Sequence, residues 1–207
     1  MEKTGIILKV EKPAVYTIGN ITGIKGDMLA KYVPLIIDNV SFEAIPKTLS
    51  TGRLTDAIQK SIVTNPDTFS MKTKGILLAF TGYEILDRGR FRFTMRNPLE
   101  EGVLDGGSVI LAIGLAILQR VHEYMGSELS YEYLTWEQFK DLWDDAKEGV
   151  STYLQYIKDN PDIRELSYHI PIEIIVPRTS DDVGCVEEFV DSLSEICYSR
   201  NNHAEHI

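Results

Sequence analysis

The 207 residues are 43% hydrophobic and 25% charged, with 15 glycines and 8 prolines. That is enough for one domain with a sizeable core, and it excludes wholesale disorder, collagen-like repeats and a disulfide scaffold. The longest apolar run, 109–118, is ten residues against the ~18 or more of a membrane span, and the N-terminus carries no signal-peptide core, so a cytoplasmic setting without a membrane partner is expected.

The net charge of −10 is unevenly spread: residues 1–120 carry 15 Lys and Arg against 12 Asp and Glu, whereas residues 121–207 carry 6 against 19. The second half would repel a polyanion, so any nucleic-acid contact should use a local basic face of the first half. Cys185 and Cys197 are twelve apart on one predicted helix, which separates them by about 18 Å at 1.5 Å per residue. They cannot pair there, and two thiols alone make no metal site.

In chain order, residues 1–16 alternate apolar and polar positions and predict a strand, stopped by Pro13 or restarting over 14–18. Gly19, Gly23 and Gly26 punctuate a polar stretch that reads as a loop leading to a short helix or turn by residue 32. The β-branched runs 33–37 and 40–45, with Asp38 and Asn39 between them, predict two strands or one bent strand. Leu54, Ala57, Ile58 and Ile62 have the spacing of an amphipathic helix over 54–63, closed by Asn65 and Pro66. The apolar run 75–81 predicts a buried strand, extended or followed by another at 83–86. Arg88, Arg90 and Arg92 alternate with Gly89, Phe91 and Phe93, so on one strand the guanidinium groups share a face and the phenyl rings take the other.

Asn97-Pro98 breaks that strand, and residues 99–108 lead into a helix over 109–125 that is apolar all round for nearly three turns and so belongs at the centre of the domain. Thr135 to Gln138 has the capping-box form, and Trp136, Phe139, Trp143 and Ala146 repeat at helical spacing. Residues 127–165 therefore read as an acidic helical insertion within a single domain spanning 1–207. Residues 170–176 are β-rich, with Pro171 confining them to a sheet edge or a strand start. A last helix over 181–198 turns Val186, Phe189, Val190, Leu193, Ile196 and Cys197 inward. The expected fold is α/β or α+β, a mixed sheet of about five or six strands around a central helix at 107–125.

Asp105, Gly106, Gly107 and Ser108 form the sharpest chemical signal. At such a junction free amides and the positive end of the helix dipole suit an anion, and two glycines let a phosphate approach the backbone. The same residues are also ordinary turn and helix-start residues. Lys72, Lys74, Arg88, Arg90, Arg92 and Arg96 could form a basic wall along a phosphate backbone while Phe91 or Phe93 stacks on bases. A solvated strand face gives the same alternation. His203, Glu205 and His206 read as a frayed tail, and His122 and His169 as core or surface histidines. Asp141, Asp144, Asp145 and Glu148 read as a solvated helix face, and no nucleophilic triad or Walker loop is present.

Taken as an ordered set, Phe69, the Lys72-Thr73-Lys74-Gly75-Ile76 strand start, Asn97-Pro98 and Gly102-Val103-Leu104-Asp105-Gly106-Gly107 before a buried helix resemble the N-terminal region of the abortive-infection phage-resistance (AIPR) family. Residues 170–176, the helix after them and Ser199-Arg200-Asn201-Asn202 look like that family's later strand, helix and Arg-Asn or Asn-Asn element. The resemblance covers residues 45–120 and 168–203; family members usually run further, so the chain looks like an N-terminal fragment or a short stand-alone version. The Asp-Gly turn is also similar to DGQHR proteins and the wider ParB/sulfiredoxin-like fold, but Ser108 and Val109 stand where a His and an Arg would handle phosphate.

The resemblance implies a cytoplasmic bacterial or phage module that binds a nucleotide or nucleic-acid phosphate at residues 105–108. One alternative is an interaction module whose acidic helical segment docks a basic protein, with Trp136, Trp143 and Tyr131 or Tyr133 as anchors. The other is a metal-dependent nuclease fragment, in which Asp105 would converge with Glu84 or Asp87 around Mg²⁺.

Overall fold

The computed structural model describes residues 5–45 and 49–202, so the His203, Glu205 and His206 reading lies outside the described residues. The larger of two sheets has the strand order β2 (Glu11–Ile18), β3 (Ile21–Leu29), β8 (His169–Pro177), β4 (Ile76–Ala79) and β7 (Gly102–Asp105). β4 runs parallel to β8 and the other neighbours are antiparallel. The smaller sheet is β1 (Gly5–Lys9), β6 (Arg90–Thr94) and β5 (Gly82–Ile85), all antiparallel. The α-helices are α1 (Val33–Asn39), α2 (Arg53–Thr64), α3 (Gly107–Met125), α4 (Trp136–Asp145), α5 (Lys147–Asp159) and α6 (Val183–Asn202). The class is mixed α/β.

The apolar run of β4 is buried throughout because the strand has a core on each side. Ile76 and Leu78 join the main core with α3, whereas Leu77 and Ala79 join Leu104, Ile175, Phe189, Leu193 and Cys197 under α6. A period of two thus splits one continuous hydrophobic run between two layers. The small sheet adds its inner face to the α3 side: Ile6 and Leu8 pair with Phe93 and Phe91, and Phe93 stacks on Phe80 at 5.0 Å. α3 has the length and composition to cross a bilayer, yet its apolar side chains lie inside this core. Residues 127–165 share the core through Leu134, Phe139, Trp143, Val150 and Tyr153. The Thr135 capping box forms as read, with Gln138 N–H donating to the Thr135 hydroxyl and the Thr135 N–H to Gln138 Oε1.

Several elements differ from the expectation. Residues 21–29 form a strand, not a loop; the Tyr16 ring covers Gly23 so closely that a Cβ there would come within 2.3 Å of it, and this cover replaces the missing side chain. Residues 33–37 lie in helix α1, which Pro34 starts without losing a needed N–H, and 40–45 form no strand. Pro13 lies inside β2, where the register shifts between Glu11 and Ala14. β8 is the middle strand of its sheet, so the edge reading fails; Pro171 precedes Ile172, where pairing with β4 begins.

Glu101, on the loop before β7, is 0% exposed, and its carboxylate accepts N–H groups from Thr81 (2.6 Å), Arg96 (2.8 Å) and Asn97 (2.8 Å). Glu101→Ala strands one buried and two part-buried amides and should cost about 3 kcal/mol in urea unfolding, with Glu101→Gln costing less. On the open face, Glu11 lies 2.9 Å from His169 Nε2, and that hydrogen bond holds the carboxyl below its usual range against the opposing effect of burial. A lowered carboxyl stabilises the fold above the ordinary glutamate range and loses that contribution as pH falls through the depressed value. Glu11→Gln should therefore lower the melting temperature at neutral pH and flatten its fall on the acid side.

Candidate functional site

β4 and β7 are antiparallel neighbours with Leu77 opposite Asp105, so the chain entering β4 lies beside the chain leaving β7. Residues 72–75 are thereby brought against 105–108. Gly106 takes φ +86° to turn β7 into α3, and a Cβ there would come within 2.4 Å of Gly75 O. Gly75, at φ +83°, stands so close to Pro171 that its Cβ would be 2.1 Å from that carbonyl oxygen. Both positions need the left-handed region and the absence of a side chain. α6 ends at the same place, where Asn201 Nδ2 donates to Leu104 O at 2.9 Å.

The two ends of α3 are closed differently. At its C-terminus Gly126, at φ +72°, lets Ser127 N–H reach His122 O and Gly126 N–H reach Glu123 O, a backbone cap. At the N-terminus no side chain caps the helix. Gly106 N–H goes to Asp105 Oδ1 at 2.7 Å, and the Val109 and Ile110 amides go to Gly106 O. The amides of Gly107 and Ser108 have no acceptor among the described residues. The unsatisfied positive end of a 19-residue helix is thus narrowed to two adjacent N–H groups.

These groups line a cleft of about 610 Å³. Lys72, Thr73 and Lys74 border one side, Arg200 and Asn201 another, and Leu49, Leu54, Ile58 and Val109 form an apolar wall. Neither lysine has an ion-pair partner among the described residues. Arg200 bridges two carboxylates, with Nε 3.5 Å from Asp105 Oδ2 and a terminal nitrogen 3.2 Å from Glu173 Oε2. The chain of charge continues across the sheet, since Glu173 also holds Lys25 at 3.2 Å and accepts the Tyr16 hydroxyl. Burial, then Glu173, push the Tyr16 phenol up, and Glu173 raises Lys25, so both keep their protons. Beneath the cleft, burial pushes the Cys197 thiol up, leaving it a neutral donor toward Ala44 O and Leu104 O.

The structure brings Lys72 and Lys74 to the 105–108 junction and leaves the arginines elsewhere. Arg88 sits in the β5–β6 turn at φ +56° beside Asp87 and not on the strand. Arg90 and Arg92 do share the outer face of β6, where they pair with Asp87 and Glu84, and Arg96 reaches Ser180 O. None of the four lines the cleft, and Phe91 and Phe93 are buried. Asp105 lines it, with Oδ1 accepting the Gly106 amide and Oδ2 in a 3.5 Å ion pair with Arg200 Nε that is no hydrogen bond; being an acid, it positions the junction and is no anion ligand. Glu84 and Asp87 face arginines on the small sheet, far in topology from Asp105, and no group of three or more His, Cys, Asp or Glu is placed to hold a metal among the described residues. Arg200 and Asn201 were visible in the sequence only as a family element; nothing in their spacing pointed to the cleft.

The acidic segment takes no part in this site. Trp143 is fully buried, with its indole N–H 2.8 Å from Asp38 Oδ1, and Trp136 stacks on Phe42 at 3.9 Å, so neither ring is a free anchor. Asp141, Asp144, Asp145 and Glu148 are exposed, as a solvated face requires. No family model, curated protein or solved structure matches the chain.

The glycine contacts predict an asymmetry. Gly106→Ala forces a Cβ into backbone at positive φ and should cost about 2 kcal/mol or more. At Gly107 an added Cβ meets the side-chain ends of Ile45 and Leu49 at 3.0 Å, which can give way, so Gly107→Ala should cost less than about 1 kcal/mol. Urea unfolding of the two variants side by side measures the difference.

Proposed function

We propose that the cleft binds the phosphate of a nucleotide or of a nucleic-acid chain, with the Gly107 and Ser108 amides as the primary cradle and Lys72, Lys74 and Arg200 as the cationic wall. The observation that carries this reading is the pair of amides without an acceptor among the described residues, at the head of a buried helix, beside a cleft that also holds two lysines without ion partners among those residues. A bound anion would satisfy both N–H groups and gain from the dipole and the wall together. The apolar side formed by Leu49, Leu54 and Ile58 offers a surface for the flat face of a base.

This reading agrees with the resemblance to the AIPR N-terminal region and to the ParB/sulfiredoxin-like fold, and the proposed setting is a cytoplasmic phage-resistance module. The junction, the Lys72-Thr73-Lys74 segment and the Arg200-Asn201 element, which the resemblance singled out in distant stretches of sequence, line one cleft. Binding without hydrolysis is the form proposed, because Ser108 and Val109 replace the His and Arg that would act on phosphate. Asp105 is the one carboxylate lining the cleft among the described residues and is already engaged, so the residues present do not fit a protein-held Mg²⁺. Nothing from 127–165 enters the cleft, which favours this reading over a docking role for the acidic segment.

Isothermal titration with pyrophosphate, adenosine and guanosine nucleotides and a short single-stranded DNA tests it. At least one phosphate ligand should bind, and Lys72→Ala/Lys74→Ala should weaken it by about tenfold or more. Gly107→Val, which fills the floor, should abolish binding while the fold, checked by circular dichroism, is kept. Undiminished affinity in both variants would remove the site.

A further inference from the structure

At the C-terminal end of α3, large side chains stand in water. Tyr124 is 50% and Met125 65% exposed, and Tyr156 on α5 is 39% exposed. Gly149 lets the two helices meet there, since a Cβ on it would come within 2.8 Å of Met125 Sδ. Gly149, Tyr153 and Tyr156 recur at helical spacing on α5. The Tyr124 ring meets Tyr156 at 5.1 Å and Tyr153 at 6.2 Å between centroids. Tyr153 is buried and its hydroxyl donates to Glu165, so the two exposed rings rest on a fixed neighbour. Rings held in this way lose little freedom when a partner lands on them.

The charge around these rings is one-sided. At about 100° per residue, Glu148 and Asp159 fall within about 80° of Tyr156 around α5, and Lys147 and Lys158 fall on the far side. Glu123 and Glu128 flank the end of α3. All four acids are exposed. Glu128, Glu148 and Asp159 have no ion-pair partner among the described residues. Arg120, one turn before Tyr124, is already engaged, with Glu123 at 2.8 Å and Glu165 at 3.9 Å. No lysine or arginine of the chain lies over Tyr124, Tyr153 or Tyr156 among the described residues.

We propose that this face docks an arginine-rich segment of a partner protein, with a guanidinium on the Tyr124 and Tyr156 rings and further arginines on the surrounding carboxylates. Arginine answers both features at once, because its plane stacks on a phenol ring while its fork of donors fits a carboxylate; a lysine offers only a point charge. The 6 cations against 19 acids of residues 121–207 draw such a segment in. The tryptophans that the sequence offered as anchors are committed to packing, and the exposed tyrosines where α3 meets α5 stand in their place. None of these residues lines the phosphate cleft, so the two readings are tested separately.

The test is calorimetric titration of the intact chain at pH 7 and about 0.15 M salt, where long-range attraction is screened, with a blocked peptide of four Arg-Gly repeats and its Lys-Gly counterpart. The arginine peptide should bind one to one and the lysine peptide about threefold or more weakly. Tyr124→Ala should weaken the arginine peptide about three- to tenfold. Glu148→Gln/Asp159→Asn, which alters only exposed groups and so leaves the fold intact, should weaken it about threefold or more. Glu187→Gln/Glu195→Gln removes the same charge from the exposed side of α6 and should leave the affinity unchanged. Absence of saturable binding, equal affinity for the two peptides, undiminished affinity in Tyr124→Ala or in Glu148→Gln/Asp159→Asn, or an equal loss in the α6 variant would each overturn the assignment.

Discussion

The first three turns of α3 are buried on nearly every face, and helix ends carry backbone groups that the helix itself cannot satisfy. At the C-terminus Gly126 folds the chain back so that its own amides cover the carbonyls of His122 and Glu123. At the N-terminus the approach is dictated by β7, which must pair with β4 and then reverse at Gly106 hard against Gly75. That reversal uses the Gly106 carbonyl for two amides and the Asp105 side chain for a third, and two remain without an acceptor among the described residues. The two amides left over follow from the way a greasy helix is fastened to the end of a sheet.

Once β7 and α3 are placed, the surroundings of those amides are set by topology. Antiparallel pairing carries Lys72 and Lys74 to the same edge, and α6, covering the opposite face of the sheet, delivers Arg200 and Asn201 there at its last turn. The Lys25, Glu173, Arg200 and Asp105 series holds Arg200 between two acids, so the guanidinium is positioned before any guest arrives. Such preorganisation lowers the entropic cost of binding. The acidic second half and the cationic cleft are kept apart: α4 and α5 pack on α3, and none of residues 127–165 lines the cleft.

The sequence was legible where one physical signal dominated. β4 and α3 were plain because their apolar runs are bounded by glycines and buried on more than one side, and the Thr135 cap was plain because its hydrogen bonds are local. Signals set by distant partners were not. Gly23 looked like a loop residue because the Tyr16 ring that covers it belongs to another strand, and Pro171 looked like an edge residue because its neighbour Gly75 is nearly a hundred positions away. The β-branched residues of 33–37 favoured a strand by propensity, which packing against the core overrides in α1. At the site, the 105–108 junction was found by its local composition, whereas the arginines were misassigned because spacing alone cannot say which of two sheets a strand joins.

The central claim is that the Gly107 and Ser108 amides hold a phosphate. Two-dimensional ¹H–¹⁵N spectra recorded during a pyrophosphate titration test it most directly. The account predicts saturable downfield shifts of those two resonances, sharing one affinity, with the Gly106 and Ile110 amides moving far less. Saturation at other residues while Gly107 and Ser108 stay still would contradict it.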